Sequence, residues 1–160
     1  MKTMTTIIFE AHSTSLDNEA GLASGQNDVE LSELGVRQSK ELGERYASQT
    51  FDAIFCSDLR RSYETARLAF GGRYPIIQDA RLRECDYGDM TQVSTKIVNP
   101  EKANRITVPF PGGESFEQCC ARMKSFLDDL ARDYDGKTVM IIGHRATQYG
   151  LEHVVNNVPI

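Results

Sequence analysis

The sequence predicts an α/β protein: a three-layer α/β/α sandwich in which a largely parallel sheet carries helices on both faces. Short β-branched and aromatic runs alternate with longer segments whose apolar residues recur at helical spacing, and parallel strands need such helical crossovers between them. The length of 160 residues is typical of one domain with a sizeable core. We therefore predict a single domain over residues 1–160.

The first half of the chain contains three predicted strands and two predicted helices. Residues 5–9 and 51–56 are apolar runs typical of buried strands, and residues 76–77 predict a short third strand. Residues 32–48 and 58–70 have the apolar spacing of helices packed on one face. These segments follow each other as strand, helix, strand, helix and strand.

The second half contains a long irregular segment and then the clearest helix. Proline and glycine interrupt residues 80–112, which we interpret as an excursion from the sheet that forms a lid. A capping box at Ser115 begins a helix that reaches about Tyr134. Residues 138–142 predict a further apolar strand, and residues 146–155 a last helix.

Composition argues against several kinds of partner. The formal net charge of −5 disfavours a nucleic-acid surface, which usually needs a clustered basic face. The apolar runs are far shorter than the roughly 20 residues that cross a bilayer, and the N-terminus lacks the pattern of a signal peptide. We predict no membrane partner, a cytoplasmic location, and four free thiols at Cys56, Cys85, Cys119 and Cys120.

Residues suited to chemistry lie at the ends of predicted strands. His12 and His144 each follow a strand closely, and the carboxyl ends of parallel strands form the ligand-binding edge of such sheets. Other motifs lie between them in the chain. In order, the motifs are His12, Ser57-Asp-Leu-Arg-Arg61, Leu82-Arg-Glu84, Pro111-Gly-Gly-Glu-Ser115 and Gly143-His144.

This order of motifs resembles the histidine phosphatase superfamily, also called phosphoglycerate mutase-like, over nearly the whole chain. The resemblance implies that His12 attacks phosphorus and becomes phosphohistidine, and that Arg61 binds the phosphate. It implies that Glu84 is the general acid and that His144 donates a hydrogen bond to the transferring phosphoryl group. It also implies chemistry without a metal or cofactor. These roles suit the residue types, since imidazole offers an unprotonated nitrogen near neutral pH and guanidinium can bind two phosphate oxygens.

The sequence departs from the family pattern in its first motif and first loop. Ala11-His12-Ser13 stands where the family has Arg-His-Gly, and Leu22 and Ala23 stand where a basic residue is expected. We hypothesise that Arg83 or Arg145, each next to a predicted catalytic residue, replaces the missing charge. The predicted substrate-binding residues are Ser13, Asn18, Arg83 and Arg145.

The end of the sequence is a further departure. Family members usually continue beyond the last helix into another strand, whereas this sequence stops at Ile160. We therefore expect truncation at the C-terminus and an open sheet edge, at which a second copy of the chain can pair to form a homodimer.

Three functions are compatible with these residues. We predict a phosphatase that hydrolyses a small phosphorylated metabolite through phosphohistidine on His12, with mutase activity less favoured because the site has lost positive charge. The alternative is a weak or inactive relative that binds a phosphorylated ligand or protein, which Ala11 favours. A metallohydrolase with Glu10, His12 and His144 as ligands is the third, and no spacing typical of a two-metal site supports it.

Overall fold

Four strands form one parallel sheet in the computed structural model, which describes residues 3–160. The strands run in the order β1-β4-β2-β3 across the sheet, and each neighbouring pair is parallel. β1 and β4 pair along their whole length, so that Ala11 lies opposite Gly143. The strands are β1 (Thr6–Ala11), β2 (Ala53–Cys56), β3 (Ile76–Gln78) and β4 (Thr138–Gly143).

Helices connect the strands and cover the sheet. Short 3-10 turns at Ala80–Leu82, Gly88–Met90 and Lys102–Arg105 supplement them. The helices are α1 (Leu16–Ala20), α2 (Glu33–Arg45), α3 (Arg60–Phe70), α4 (Thr95–Glu101), α5 (Phe116–Asp133) and α6 (Arg145–Asn156).

The two faces of the sheet bury separate apolar clusters. Met140 and Ile142 of β4 pack with residues of α2 and α3, whereas Val139 and Ile141 pack with residues of α5 and α6. This alternation follows from the two-residue period of a strand. The predicted three-layer α/β/α fold is confirmed.

Most predicted elements form, with ends shifted by a few residues. The capping box at Ser115 is present, with Gln118 as its reciprocal partner. β1 extends two residues beyond the prediction because pairing with β4 continues to Ala11. All four cysteines are free thiols, as predicted.

Two short helices were not predicted. Ser15 caps α1, in a loop whose polar composition hid a five-residue element. α4 contains Pro100, which we interpreted as a helix breaker. Because Pro100 lies in the last turn of α4, its missing N–H removes only one intrahelical hydrogen bond.

The excursion between β3 and α5 folds over the carboxyl end of the sheet. Tyr87, Val98 and Phe110 form a third buried cluster with Phe116 of α5 and Ala146 of α6. This cluster fixes α4 beside the strand ends, where the sequence predicted a lid. No helix in the described part of the chain is long and apolar enough to cross a membrane.

Candidate active site

A cavity of about 350 Å³ opens at the carboxyl edge of the sheet. Its volume lies within the usual range of small-molecule sites, roughly 300 to 1,000 Å³. The structure brings all four predicted catalytic residues together in its wall: His12, Arg61, Glu84 and His144.

His12 directly follows β1, and its backbone N–H donates to the Gly143 carbonyl of β4 at 2.9 Å. Its Nδ1 lies 2.7 Å from the Ser13 carbonyl oxygen, which can only accept. Nδ1 therefore carries the proton, and Nε2 keeps its lone pair. Burial, and secondly the charge of Arg61, lower the pKa of His12 to about 4, so the imidazole is neutral at pH 7.

His144 is fully buried at the N-terminus of α6, and its ring centroid lies 5.0 Å from that of His12. Its Nε2 is 2.6 Å from the Ser57 hydroxyl, which also accepts from the Leu59 N–H. We assign the hydroxyl as the donor to Nε2, which places the ring proton on Nδ1. Burial, above all, holds the pKa of His144 well below its usual value.

The Nδ1 atom of His144 has no hydrogen-bond partner among residues 3–160. A buried polar group in this condition loses the free energy of its hydration unless a ligand or water satisfies it. Because His144 lines the cavity, an acceptor oxygen of a ligand is the partner that this N–H lacks.

Arg61 extends from α3 into the cavity wall and is only 2% exposed. Two of its five N–H donors bond to the carbonyl oxygens of Gly25 and Asn27, at 2.6 and 2.9 Å. Gly25 adopts a φ of +51°, and a Cβ there would lie 3.2 Å from Tyr87, which explains a glycine at this position. The loop thus fixes the guanidinium while leaving donors for a ligand.

Glu84 is 8% exposed and is held by backbone N–H groups. Oε1 accepts from Cys85 and Ala146 at 2.9 and 3.1 Å, and Oε2 accepts from Arg145 at 3.2 Å. Two of these donors belong to the first turn of α6, where the helix dipole attracts negative charge. The carboxylate is therefore fixed in the cavity wall, bonded to the two residues that directly follow His144.

The four predicted substrate-binding residues divide into two pairs. Asn18 and Arg145 line the cavity. Ser13 lines a neighbouring cavity, and its hydroxyl accepts from Ser39 at 2.9 Å. Arg83 forms a two-pronged salt bridge with Asp58, at 2.7 and 2.6 Å. These bonds hold the pKa of Asp58 below its usual value.

The structure places the two arginines of the charge-replacement hypothesis differently. Arg83 does not line the cavity, and its guanidinium is bound to Asp58, so it is not placed to supply the charge missing at Ala11. Of the two residues, Arg145 is the one that lines the cavity.

Sequence reasoning missed a set of polar residues on the lid. Thr95, Asn99 and Lys102 line the cavity and recur at the i, i+4 and i+7 spacing of one helical face. This spacing was a usable signal, but the proline in the segment had led us to expect no helix.

The three proposed metal ligands are not brought together. Tyr46 donates to Glu10 at 2.7 Å, and Glu10 lines a neighbouring cavity that His144 does not line, whereas His12 lines both cavities. Within residues 3–160, the cluster with ligand atoms close enough for a metal is Cys85, Glu114 and Cys119. Arg122 already binds both oxygens of Glu114, at 2.8 and 2.7 Å.

Two neutral imidazoles, a buried guanidinium and a carboxylate thus lie at the carboxyl edge of a parallel α/β sheet, a set of groups chemically suited to a phosphoryl group. Residues 7–156 match the family model of the histidine phosphatase superfamily (branch 1). The chain therefore belongs to this superfamily, as the order of its motifs had predicted.

Similar proteins include both phosphatases and mutases. The chain is 31% identical over 150 residues to phosphoserine phosphatase 1 of Hydrogenobacter thermophilus, covering 88% of this chain and 71% of the relative. It is 28% identical over 174 residues to a 2,3-bisphosphoglycerate-dependent phosphoglycerate mutase of Rhizobium etli, covering 94% and 82%. A mycobacterial glucosyl-3-phosphoglycerate phosphatase solved with VO3 has a TM-score of 0.83 and 26% identity, covering 95% and 82%. The predicted class, a phosphatase of this superfamily, is confirmed, while mutase activity stays open.

The lowered pKa values of the two histidines predict that acid destabilises the fold. An unfolded histidine takes up a proton near pH 6.5, but folded His12 does so only near pH 4. Above pH 6.5, His12 is neutral in both states and its protonation does not change the free energy of unfolding. As the pH falls from 6.5 towards 4, only the unfolded state gains the proton, so the free energy of unfolding decreases. We expect the free energy of unfolding to decrease by at most about 1.4 kcal/mol per pH unit for each histidine.

Urea unfolding between pH 7 and pH 4.5 measures this loss. His12→Asn removes this histidine and should flatten the dependence of the unfolding free energy on pH. His153→Asn, which lies outside the cavity, should leave the contribution of His12 to that dependence unchanged. All three proteins contain the same carboxylates, so the contribution of the carboxylates to the pH dependence drops out of the comparison. Identical slopes for wild type and His12→Asn would show that His12 is not held neutral.

Proposed function

We propose that the chain hydrolyses a small phosphate monoester through a phosphohistidine formed on His12. The observation that carries this proposal is that His12, His144 and Arg61 line one cavity, with the two ring centroids 5.0 Å apart. One tetrahedral anion can contact all three groups there. His12 supplies a lone pair, while His144 and Arg61 supply hydrogen-bond donors.

In the first step, the lone pair of His12 Nε2 attacks phosphorus. A P–N bond forms as the bond between phosphorus and the ester oxygen breaks, and Glu84 gives its proton to that oxygen, so that an alcohol leaves. Among the described residues of the cavity wall, Glu84 carries the carboxyl group, and we assign this proton transfer to it. Arg61 and His144 stabilise charge on the phosphoryl oxygens.

In the second step, water attacks phosphorus and the P–N bond breaks. Glu84, now a carboxylate, accepts a proton from the water. Inorganic phosphate leaves, and the lone pair returns to His12 Nε2. The Ser13 carbonyl holds the Nδ1 proton throughout, so the same nitrogen faces phosphorus in both steps.

The comparisons support the substrate class in general terms. The phosphatases among the similar proteins are named for phosphoserine and for glucosyl-3-phosphoglycerate, both small phosphorylated metabolites. We propose a substrate of this class for the present chain, used in the cytoplasm and without a nucleic-acid partner. Hydrolysis is favoured over mutase activity because Ala11, Leu22 and Ala23 line the cavity where family members carry more positive charge.

Trapping the phosphoenzyme tests the proposal. Wild-type protein is mixed with a ³²P-labelled phosphate monoester in EDTA and quenched in alkali within milliseconds to seconds. We expect label on the protein that survives alkali and is released by acid, as a phosphorus–nitrogen bond would be. His12→Asn should carry no label.

Two other outcomes would contradict the proposal. Turnover that stops in EDTA would indicate metal chemistry. Tight binding of phosphate without label or turnover would favour the inactive relative, for which the exposed Ala11 in place of an arginine is the supporting observation. Loss of one charge-assisted phosphate contact costs about 1.5 to 3 kcal/mol, equivalent to roughly ten- to a hundredfold in affinity.

A further inference from the structure

Two cations of the cavity wall, Lys102 and Arg145, have no role in the steps above. Neither forms a salt bridge within residues 3–160, in contrast to Arg83 and Arg122, which are paired with Asp58 and Glu114. Among residues 3–160, the one side-chain hydrogen bond of Arg145 is to the Gln148 amide oxygen at 3.3 Å. In the described part of the chain, neither cation has a carboxylate within salt-bridge distance, although Glu84 lines the same cavity.

Lys102 is half-buried in the turn that follows α4, and its Nζ lies 5.6 Å from the ring centroid of Tyr87. Burial lowers the pKa of Lys102, the negative charge of Glu84 opposes this shift, and the positive charge of Arg145 adds to it. A desolvated ammonium group near a second cation is unfavourable on its own. An anion between the two charges would relieve both effects.

The hydrogen-bond donors of the cavity differ in how deeply they are buried. His144 and Arg61 are 0% and 2% exposed and form the floor, whereas Lys102 is half-buried and Arg145 exposed. Thr95 and Asn99 continue the polar face of the lid from Lys102. A phosphate held on the floor would thus leave Lys102 and Arg145 to contact a more distant part of the same molecule.

We propose that Lys102 and Arg145 bind a second anionic group of the substrate, a carboxylate or a second phosphate, near the mouth of the cavity. The inference rests on the proposed hydrolase and narrows its substrates to phosphate monoesters with two acidic groups. It also gives the lid a function, because Lys102 follows α4 directly and its position depends on the buried cluster around Val98.

Binding measurements in the His12→Asn background test this inference without turnover. The first pair of ligands is O-phosphoserine and O-phosphoethanolamine, which differ by one carboxylate. The second pair is propane-1,3-diol bisphosphate and its monophosphate, which differ by one phosphate. We expect the more acidic member of at least one pair to bind about tenfold more tightly, the effect of one charge-assisted contact.

Two further substitutions locate the contact. Lys102→Gln should remove most of the preference, and Lys102→Gln with Arg145→Gln should remove all of it. Lys96→Gln, which replaces an exposed lysine on α4 outside the cavity, should keep the preference. A preference in the first pair alone identifies a carboxylate, and in the second pair alone a phosphate.

The inference is overturned by equal affinities in both pairs or by a preference that survives the double substitution. Its failure is distinguishable from failure of the proposed function, because hydrolysis of p-nitrophenyl phosphate by the wild-type protein tests the reaction with a substrate that lacks a second anionic group. If the protein hydrolyses this ester but shows no preference for the more acidic ligands, only the inference about Lys102 and Arg145 fails. If the protein shows the preference but forms no phosphoenzyme, only the proposed reaction fails.

Discussion

His12→Asn is expected to reduce phosphate monoester hydrolysis by about a thousandfold or more, the usual consequence of removing a nucleophile. Asparagine is smaller than histidine and can still donate to the Ser13 carbonyl, but its amide nitrogen has no lone pair available for attack. Arg61 and His144 stay in place, so inorganic phosphate should still bind. The measurements are kcat for an aryl and an alkyl phosphate, and the Kd of phosphate by calorimetry.

His153→Asn is the matched control for this loss. His153 lies on α6, and its Nδ1 is 2.8 Å from the Val158 carbonyl. It does not line the cavity, so kcat should change by less than about twofold, as for a surface substitution. If His12→Asn hydrolyses as fast as this control, phosphohistidine at position 12 is not an intermediate.

The sequence was sufficient to predict the edge at which the site forms, but not the geometry within it. His12 and His144 each follow a strand, and any parallel arrangement brings such residues to one edge. Their proximity has a further cause, since β1 and β4 are neighbours in the sheet and Ala11 lies opposite Gly143. Strand order is a tertiary property, and the local pattern does not contain it.

Adjacency in sequence to a site residue does not by itself place a side chain in the cavity. Arg83 was expected to share the cavity with Glu84, but its backbone is extended, with φ −60° and ψ 155°. Successive side chains of an extended segment point to opposite sides. Glu84 therefore faces the first turn of α6, while Arg83 reaches Asp58. Adjacency in sequence therefore did not predict where the Arg83 side chain lies, whereas the alternation of side chains along an extended backbone accounts for it.

The lid shows the opposite error, in which a real pattern was overlooked. Thr95, Asn99 and Lys102 share one helical face, although Pro100 lies between them. Proline is unfavourable in a helix interior because it removes one hydrogen bond and crowds the preceding turn. That cost is tolerable at a helix end when tertiary packing compensates, and the burial of Val98 provides such packing.

Glu84→Gln is expected to separate the two steps of the reaction. The amide keeps the size of the side chain and an oxygen that accepts from Ala146, but it neither gives nor takes a proton. Alkyl phosphates should lose about 10²- to 10⁴-fold in kcat, the usual contribution of a general acid. p-Nitrophenyl phosphate should be phosphorylated onto His12 with a much smaller loss, because nitrophenolate leaves without a proton.

With this aryl ester, the slow step of Glu84→Gln becomes attack of water on the phosphohistidine. A stopped-flow trace should show a burst of nitrophenolate equal to the enzyme concentration, followed by a slow phase, and alkali-stable label should persist through it. Glu117→Gln, an exposed site on α5, should show neither effect. Equal losses for alkyl and aryl esters without a burst would mean that Glu84 only positions the first turn of α6. The contrast between leaving groups is decisive because it depends on proton transfer alone, and no change in the shape of the cavity reproduces it.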